Sequence, residues 1–112
     1  MAENETEEAE IEDPEMFSFS LIASAGQARS LAFEALEAAK KGDFAKSDEL
    51  MGESKAAGLE AHHKQTQLLV QEANGNHVPV DVMLVHAQDH LMTAMLAQEL
   101  ITEIIELHRE RV

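Results

Sequence analysis

The sequence of 112 residues contains no cysteine, tryptophan or tyrosine, and it has only four phenylalanines. The absence of cysteine excludes disulfides and thiolate metal sites, and the scarcity of aromatic residues excludes a core built on large rings. No apolar run is long enough to cross a bilayer, and the chain does not open with a signal-peptide pattern. We therefore expect a soluble, cytoplasmic protein with one domain and no direct membrane insertion.

Basic residues are also few, since eight Lys and Arg oppose 22 Asp and Glu, for a formal net charge of −14. Eight of the acids fall within residues 1–16, which carry no base. This composition predicts a disordered acidic tail over residues 1–15, followed by a domain over residues 16–112. We expect no nucleic-acid binding, because no basic stripe is present to neutralise phosphates.

Two turn signals interrupt a chain that is otherwise rich in good helix formers. Gly42 suits the position after a helix and Asp43 the cap of the next, while the Asn-Gly and Pro of residues 74–79 mark a loop before Asp81. Short connections between long helices favour an antiparallel arrangement. The sequence thus predicts an all-α fold, a three-helix bundle with helices over residues 16–41, 44–73 and 81–110.

Apolar residues recur at helical spacing in the first two segments. The first carries a stripe that is mostly alanine, at Leu21, Ala25, Ala28, Ala32, Ala35 and Ala39. For the second we predict a buried face with Phe44, Met51, Leu59, Leu69 and Ala73. Gly52 and Gly58 weaken this second helix, so we expect close packing at both positions.

The third segment is apolar on more than one side. One row has the spacing of a coiled-coil seam, at Val82, Val85, Asp89, Met92 and Leu96. One apolar stripe is enough for the third helix to pack against the other two helices of the chain. A second apolar stripe therefore predicts contact with another copy of the chain. Under cyclic symmetry the copies of Asp89 would converge on the axis and need a cation such as Mg²⁺, or shared protons. This reasoning does not fix the number of copies.

The run from His86 to Asp89 and His90 places two imidazoles and a carboxylate at helical neighbour spacing. A histidine here can act as a phosphoryl-accepting nucleophile or as a ligand. Gln88 and His90 are the nearest candidates to contact a phosphoryl group on His86, since no Arg or Lys lies between Lys64 and Arg109.

Other interpretations remain open at this point. A non-catalytic oligomer could use Asp89 and His90 to bind a metal for structure, and an adaptor bundle could dock a partner helix on its third helix. A di-iron bundle is excluded, because one Glu-x-x-His motif on three helices supplies too few ligands. We interpret His62 and His63 as packing or surface residues and assign no role to His77 or His108.

The run Leu84-Val85-His86-Ala87-Gln88-Asp89-His90-Leu91-Met92-Thr93 resembles the signature helix of the lactose/cellobiose family of phosphotransferase-system enzyme IIA proteins. The N,N′-diacetylchitobiose branch is the nearest in pattern. Residues 25–32 are also similar to the family's first helix, residues 41–44 to its first turn and residues 60–66 to its second helix, so the resemblance covers about residues 16–110.

This resemblance implies a homotrimer of three-helix chains and a role for each signature residue. His86 corresponds to the histidine that accepts a phosphoryl group at Nε2 from the phosphocarrier HPr and passes it to a cysteine of enzyme IIB. Asp89 corresponds to an aspartate on the threefold axis, where Mg²⁺ or a similar cation binds. Gln88 and His90 correspond to residues near the active site. The transported sugar would be a β-linked disaccharide such as N,N′-diacetylchitobiose, cellobiose or lactose.

Overall fold

A computed structural model describes residues 11–111, which form three α-helices and no strand. The helices are α1 (Pro14–Lys40), α2 (Phe44–Ala73) and α3 (Val82–Glu110). The prediction of an all-α, three-helix chain is confirmed. α1 packs along both other helices, whereas α2 and α3 contact each other much less. None of the described helices has an apolar stretch that could cross a membrane.

Helix α1 begins two residues earlier than the sequence predicted. Asp13 caps it by accepting hydrogen bonds from the backbone N–H groups of Glu15 and Met16, and Pro14 occupies the first turn. Proline there loses no helical hydrogen bond, so Asp-Pro-Glu is a helix start and not part of a tail. The backbone N–H of Ile11 also donates to Gln71 Oε1 over 2.8 Å. The acidic stretch over residues 1–10 lies outside the described residues.

The predicted turns lie at the positions where the helices of the structure end and begin. Gly42 has φ +82° and its N–H donates to the carbonyl of Ala39, while the N–H of Asp43 donates to that of Ala38. This pattern closes α1 with a left-handed residue that favours glycine. Asp43 then caps α2 through Lys46 N–H, and Asp81 caps α3 through Leu84 N–H at 2.8 Å.

The alanine stripe of α1 is buried as predicted, and it forms the centre of the core. Its residues are at most 2% exposed, at Leu21, Ala25, Ala28, Ala32, Ala35 and Ala39. Small side chains let α2 and α3 approach the α1 backbone closely. Most of the core therefore lies along α1, and a smaller cluster joins Leu68 of α2, Val78 of the loop and Leu84 of α3.

The predicted buried face of α2 is partly wrong. Met51 is buried, but Leu59 and Leu69 are 59% and 58% exposed and Ala73 is exposed. The buried residues of α2 are instead mostly small or polar, among them Ser47, Ser54, Ala57, Gly58 and Ala61. Ser54 is tolerated there because its hydroxyl donates to the backbone carbonyl of Ala28 over 2.6 Å.

The two glycines of α2 lie in different environments. A Cβ at Gly58 would come within 2.9 Å of the Gln98 amide, so the missing side chain at Gly58 leaves room for Gln98 of α3. The expected close packing at Gly58 is therefore confirmed. Gly52 is exposed, and a Cβ there would meet nothing within 4 Å, so the expectation of close packing is wrong.

Because Gly52 fills an open helical position, Gly52→Ala is expected to stabilise the protein by about 1 kcal/mol through helix propensity alone. Thermal unfolding followed by circular dichroism would show a melting temperature raised by several degrees. Gly42→Ala is the contrasting variant, since its positive φ strains any side chain, and it should lower the melting temperature. A destabilised Gly52→Ala would contradict the open environment at this site.

Candidate functional site

His86 lies about one turn into α3, and its side chain is exposed. The ring of His90, four residues later, meets it edge to face with 5.0 Å between ring centroids and 78° between ring planes. The predicted pairing of these two histidines is therefore present in the structure. An exposed imidazole can approach a reacting group on another protein, and a second imidazole one turn away can donate a hydrogen bond to that group.

Asp89 lies on an exposed apolar row that the chain does not cover itself. Val85, Met92 and Leu96 are 49%, 53% and 54% exposed, and Val82 is 84% exposed. The opposite side of α3, with Ala87 and Leu91, is buried against the rest of the chain. The sequence prediction of one covered side and one uncovered row on this helix is confirmed.

Among residues 11–111, the carboxylate of Asp89 is not part of a cluster of metal ligands. No group of three or more His, Asp or Glu residues comes together in the part of the chain that the structure describes. Water or ligands from other copies of the chain would complete the coordination of a cation at Asp89. Carboxylate oxygens are suitable ligands for a hard cation such as Mg²⁺.

Gln88 is directed toward α2 and not toward His86. Its Oε1 accepts a hydrogen bond of 2.8 Å from Nε2 of Gln65. Its own Nε2 is buried and has no hydrogen-bond partner among residues 11–111. Helix neighbours at i and i+2 do not face each other, so Gln88 does not reach His86 of the same chain. The interaction with Gln65 was not predicted, because a pairing across 23 residues has no local sequence signal.

An apolar groove of about 310 Å³ opens beside the site, between the end of α2 and the start of α3. Its lining residues come from both helices and their loop: Leu68, Leu69, Glu72, Val78, Val80, Leu84, Val85, Gln88 and Asp89. Exposed apolar surface next to an exposed histidine is suited to contact with another protein.

The remaining histidines are not gathered at this site. His62 and His63 are exposed on α2, and His77 in the loop pairs with Glu72 through Nδ1. Lys64 is bound to Glu60 at 3.1 Å, and Arg109 lies at the far end of α3 with Asp48. Within one chain, His90 is therefore the described group best placed to contact a charged adduct on His86.

The chain is similar to known proteins over nearly its whole length. A sequence profile of the family described as "PTS system, Lactose/Cellobiose specific IIA subunit" matches residues 16–109. The chain belongs to this IIA family. Membership confirms the resemblance found in the signature helix, and the match begins after the acidic stretch.

Relatives within the IIA family include proteins named for two sugars. The N,N′-diacetylchitobiose-specific EIIA component of Escherichia coli K12 is 51% identical over 108 residues, covering 96% of this chain and 90% of the relative. The cellobiose-specific enzyme IIA from Bacillus anthracis has a TM-score of 0.84 at 44% identity, covering 89% of this chain and 93% of that one. The Escherichia coli IIA(Chitobiose) protein, solved in complex with HPr, has a TM-score of 0.77 at 51% identity, covering 89% and 97%.

Proposed function

We propose that this IIA protein is a phosphocarrier that accepts a phosphoryl group from phospho-HPr on His86 and passes it to a cysteine of its enzyme IIB. The observation that carries this proposal is the exposed imidazole of His86, with His90 one turn away, in a chain of the IIA family. A relative 51% identical to this chain was solved in complex with HPr, which supports HPr as the donor.

The first transfer exchanges one N–P bond for another. The lone pair on Nε2 of His86 attacks phosphorus, and the bond to the donor imidazole breaks with its electron pair returning to the donor nitrogen. Each ring keeps the proton on its second nitrogen. In the second transfer, a thiolate of enzyme IIB attacks the same phosphorus and the electron pair of the N–P bond returns to Nε2. Phosphoryl transfer of this kind depends mainly on positioning and electrostatics.

The active assembly in this proposal is a homotrimer that buries the uncovered row of α3. The row carries Val82, Val85, Met92 and Leu96, all exposed in one chain, and it includes Asp89. Cyclic symmetry gathers the Asp89 copies near the axis. Asp89 would then hold Mg²⁺ or another divalent cation, which neutralises carboxylates that would otherwise repel each other.

The apolar surface beside His86 serves the donor and the acceptor in turn. Encounters in a relay must be short-lived, and weak, transient complexes bury little surface. The side of the groove formed by Leu69 and Val80 lies off the row that the trimer buries, and it offers such a surface, with Glu72 as a polar group beside it. The relay drives uptake and phosphorylation of a β-linked disaccharide. N,N′-diacetylchitobiose is favoured over cellobiose or lactose by the 51% identity to the chitobiose-specific relative.

Mass spectrometry of the intact protein after incubation with phospho-HPr tests the proposal. Wild type is expected to gain one acid-labile phosphoryl group, and His86→Gln is expected to gain none, because it lacks the nucleophile. His63→Gln is the matched control, since it removes another exposed helical histidine and should be phosphorylated like wild type.

If wild type gains no group while the same phospho-HPr labels another acceptor, the phosphocarrier function is wrong. The non-catalytic metal-binding oligomer would then be the better interpretation. Labelling of His86→Gln to the wild-type level would show that a different residue is the carrier.

A further inference from the structure

His86 and His90 form a pair of imidazoles on the surface of α3. Their ring centroids are 5.0 Å apart, and neither ring has a hydrogen bond or an ion pair with another residue in the described part of the chain. His86 is exposed and His90 is half-buried, so both rings are accessible to solvent. Two histidines four residues apart on one helix also supply two zinc ligands in the H-E-x-x-H motif. The pair therefore has the spacing of a metal-binding helix face.

The separation of the two rings suits a shared metal ion. With a metal–nitrogen bond of about 2.0–2.1 Å, the ion lies about 3.2 Å from the centroid of each imidazole. Two rings bound at a tetrahedral angle then have centroids about 5.2 Å apart. The observed separation is 5.0 Å. The helix backbone thus already holds the rings at the distance that a shared ion requires.

The other described histidines do not form such a pair. His62 and His63 are neighbours in sequence, so α2 directs their side chains about 100° apart. His77 is bound to Glu72 through Nδ1, and His108 lies in the last turn of α3. Within residues 11–111, no third His, Asp or Glu completes a cluster of ligands. The pair would therefore supply two protein ligands and leave the remaining positions of the ion to water.

The ligand atoms select the class of ion. Imidazole nitrogen suits Zn²⁺, Cu²⁺ and Ni²⁺, whereas Mg²⁺ prefers oxygen ligands such as the carboxylate of Asp89. The formal net charge of −14 attracts cations. The sequence has no Lys or Arg before Arg29 or between Lys64 and Arg109, so these stretches add no positive charge that would repel a metal ion.

We infer that His86 and His90 together bind a transition-metal dication such as Zn²⁺, and that the bound metal blocks phosphoryl acceptance by His86. A neutral imidazole has one nitrogen with a lone pair and one N–H group. A metal on either nitrogen of His86 uses the lone pair that must attack phosphorus, so the block does not depend on which nitrogen binds. The metal site rests on the histidine pair alone, whereas its effect on the relay rests on the proposed function.

Isothermal titration calorimetry with Zn²⁺ tests the metal site directly. The full-length protein is titrated in excess Mg²⁺, which occupies sites made of oxygen ligands. Wild type is expected to bind Zn²⁺ at one strong site per chain. His86→Gln and His90→Gln should each lower the affinity at least tenfold, because each removes one of the two protein ligands. His63→Gln is the matched control, since it removes an exposed histidine whose neighbouring histidine is one residue away, and it should bind Zn²⁺ like wild type.

Two results of this titration would overturn the metal site. One is equal affinity for Zn²⁺ in wild type and in His90→Gln. The other is loss of binding in Asp89→Asn with binding retained in His90→Gln, because the ion would then be held by the carboxylate. Thermal unfolding without Zn²⁺ checks the fold of each variant, and His90→Asn replaces His90→Gln in the titration if the latter unfolds at a lower temperature than wild type.

The initial rate of phosphorylation by phospho-HPr measures the block. Zn²⁺ at about ten times its dissociation constant leaves about one chain in eleven without metal, so wild type should be slowed about tenfold. A chelator should restore the rate. His90→Gln at the same Zn²⁺ concentration should lose at most about half of its own zinc-free rate. Comparing each variant with its own zinc-free rate removes any contribution of His90 to the transfer itself.

A second acceptor of the same phospho-HPr shows whether Zn²⁺ acts on the donor. Equal slowing of that acceptor, or an unchanged rate for wild type that has bound Zn²⁺, would overturn the block. Wild type that binds Zn²⁺ at the histidine pair but gains no phosphoryl group in metal-free buffer would instead overturn the proposed function and leave the metal site standing.

Discussion

Asp89→Leu is expected to stabilise the assembled protein and to make its melting temperature independent of divalent cations. The carboxylate lies in an otherwise apolar row, and in the proposed trimer its copies converge. Replacing buried charges with apolar side chains of similar size is often stabilising by about 1–4 kcal/mol. A gain of about 2 kcal/mol would raise the melting temperature by roughly 10 °C. Thermal unfolding with Mg²⁺ and with a chelator, together with mass measurement by light scattering, checks this result.

Glu53→Leu is the control for this prediction, because it removes an exposed carboxylate from α2. It should leave the cation dependence of melting as in wild type. A lower melting temperature for Asp89→Leu together with loss of the trimer would show that Asp89 holds the copies together. The account of repelling axial carboxylates would then be wrong.

Ala32→Leu is expected to destabilise the protein severely. Ala32 is 0% exposed and lies in a core cluster with Ala35, Leu50 and Ile101. The three added carbon atoms would have to push α2 or α3 away from α1, and overpacking of this kind costs about 3 kcal/mol. For a domain of this size, that loss lowers the melting temperature by roughly 12–20 °C, as measured by circular dichroism.

Ala23→Leu makes the same change on the exposed side of α1 and should be nearly neutral. Comparing the two variants separates the packing effect from any change in helix propensity, because both alter the same helix in the same way. Similar melting temperatures for Ala32→Leu and wild type would mean that the helices do not approach α1 as closely as the alanine stripe implies.

Local signals in the sequence predicted most of the helical framework. Asp43 and Asp81 cap their helices as expected, because capping depends on a few neighbouring residues. The start of α1 was misplaced, since Asp13 and Glu15 were counted with the acidic stretch although they belong to a helix start. The family, and with it the candidate role of His86, was likewise predicted from the run around His86 together with three shorter segments, and the family profile confirmed the membership.

Which side of α2 is buried could be learned only from the tertiary structure. Leu59 and Leu69 are more hydrophobic than Ser54, yet they are exposed and Ser54 is buried. The periodicity of apolar residues shows only which residues share one side of a helix. It does not show that α1 approaches α2 so closely that small side chains are needed between them. The hydrogen bond from Ser54 to the Ala28 carbonyl across 26 residues then compensates for burying a hydroxyl.

By itself the sequence determined the three helices, the buried stripe of α1, the uncovered row of α3 and the positions of His86 and Asp89. These features depend on spacing along one helix, which the order of residues fixes directly. Only the tertiary structure decided which side of α2 is buried and that Gln65 of α2 binds Gln88 of α3. Those features depend on pairs of residues far apart in the chain, and their contacts exist only once the helices have packed.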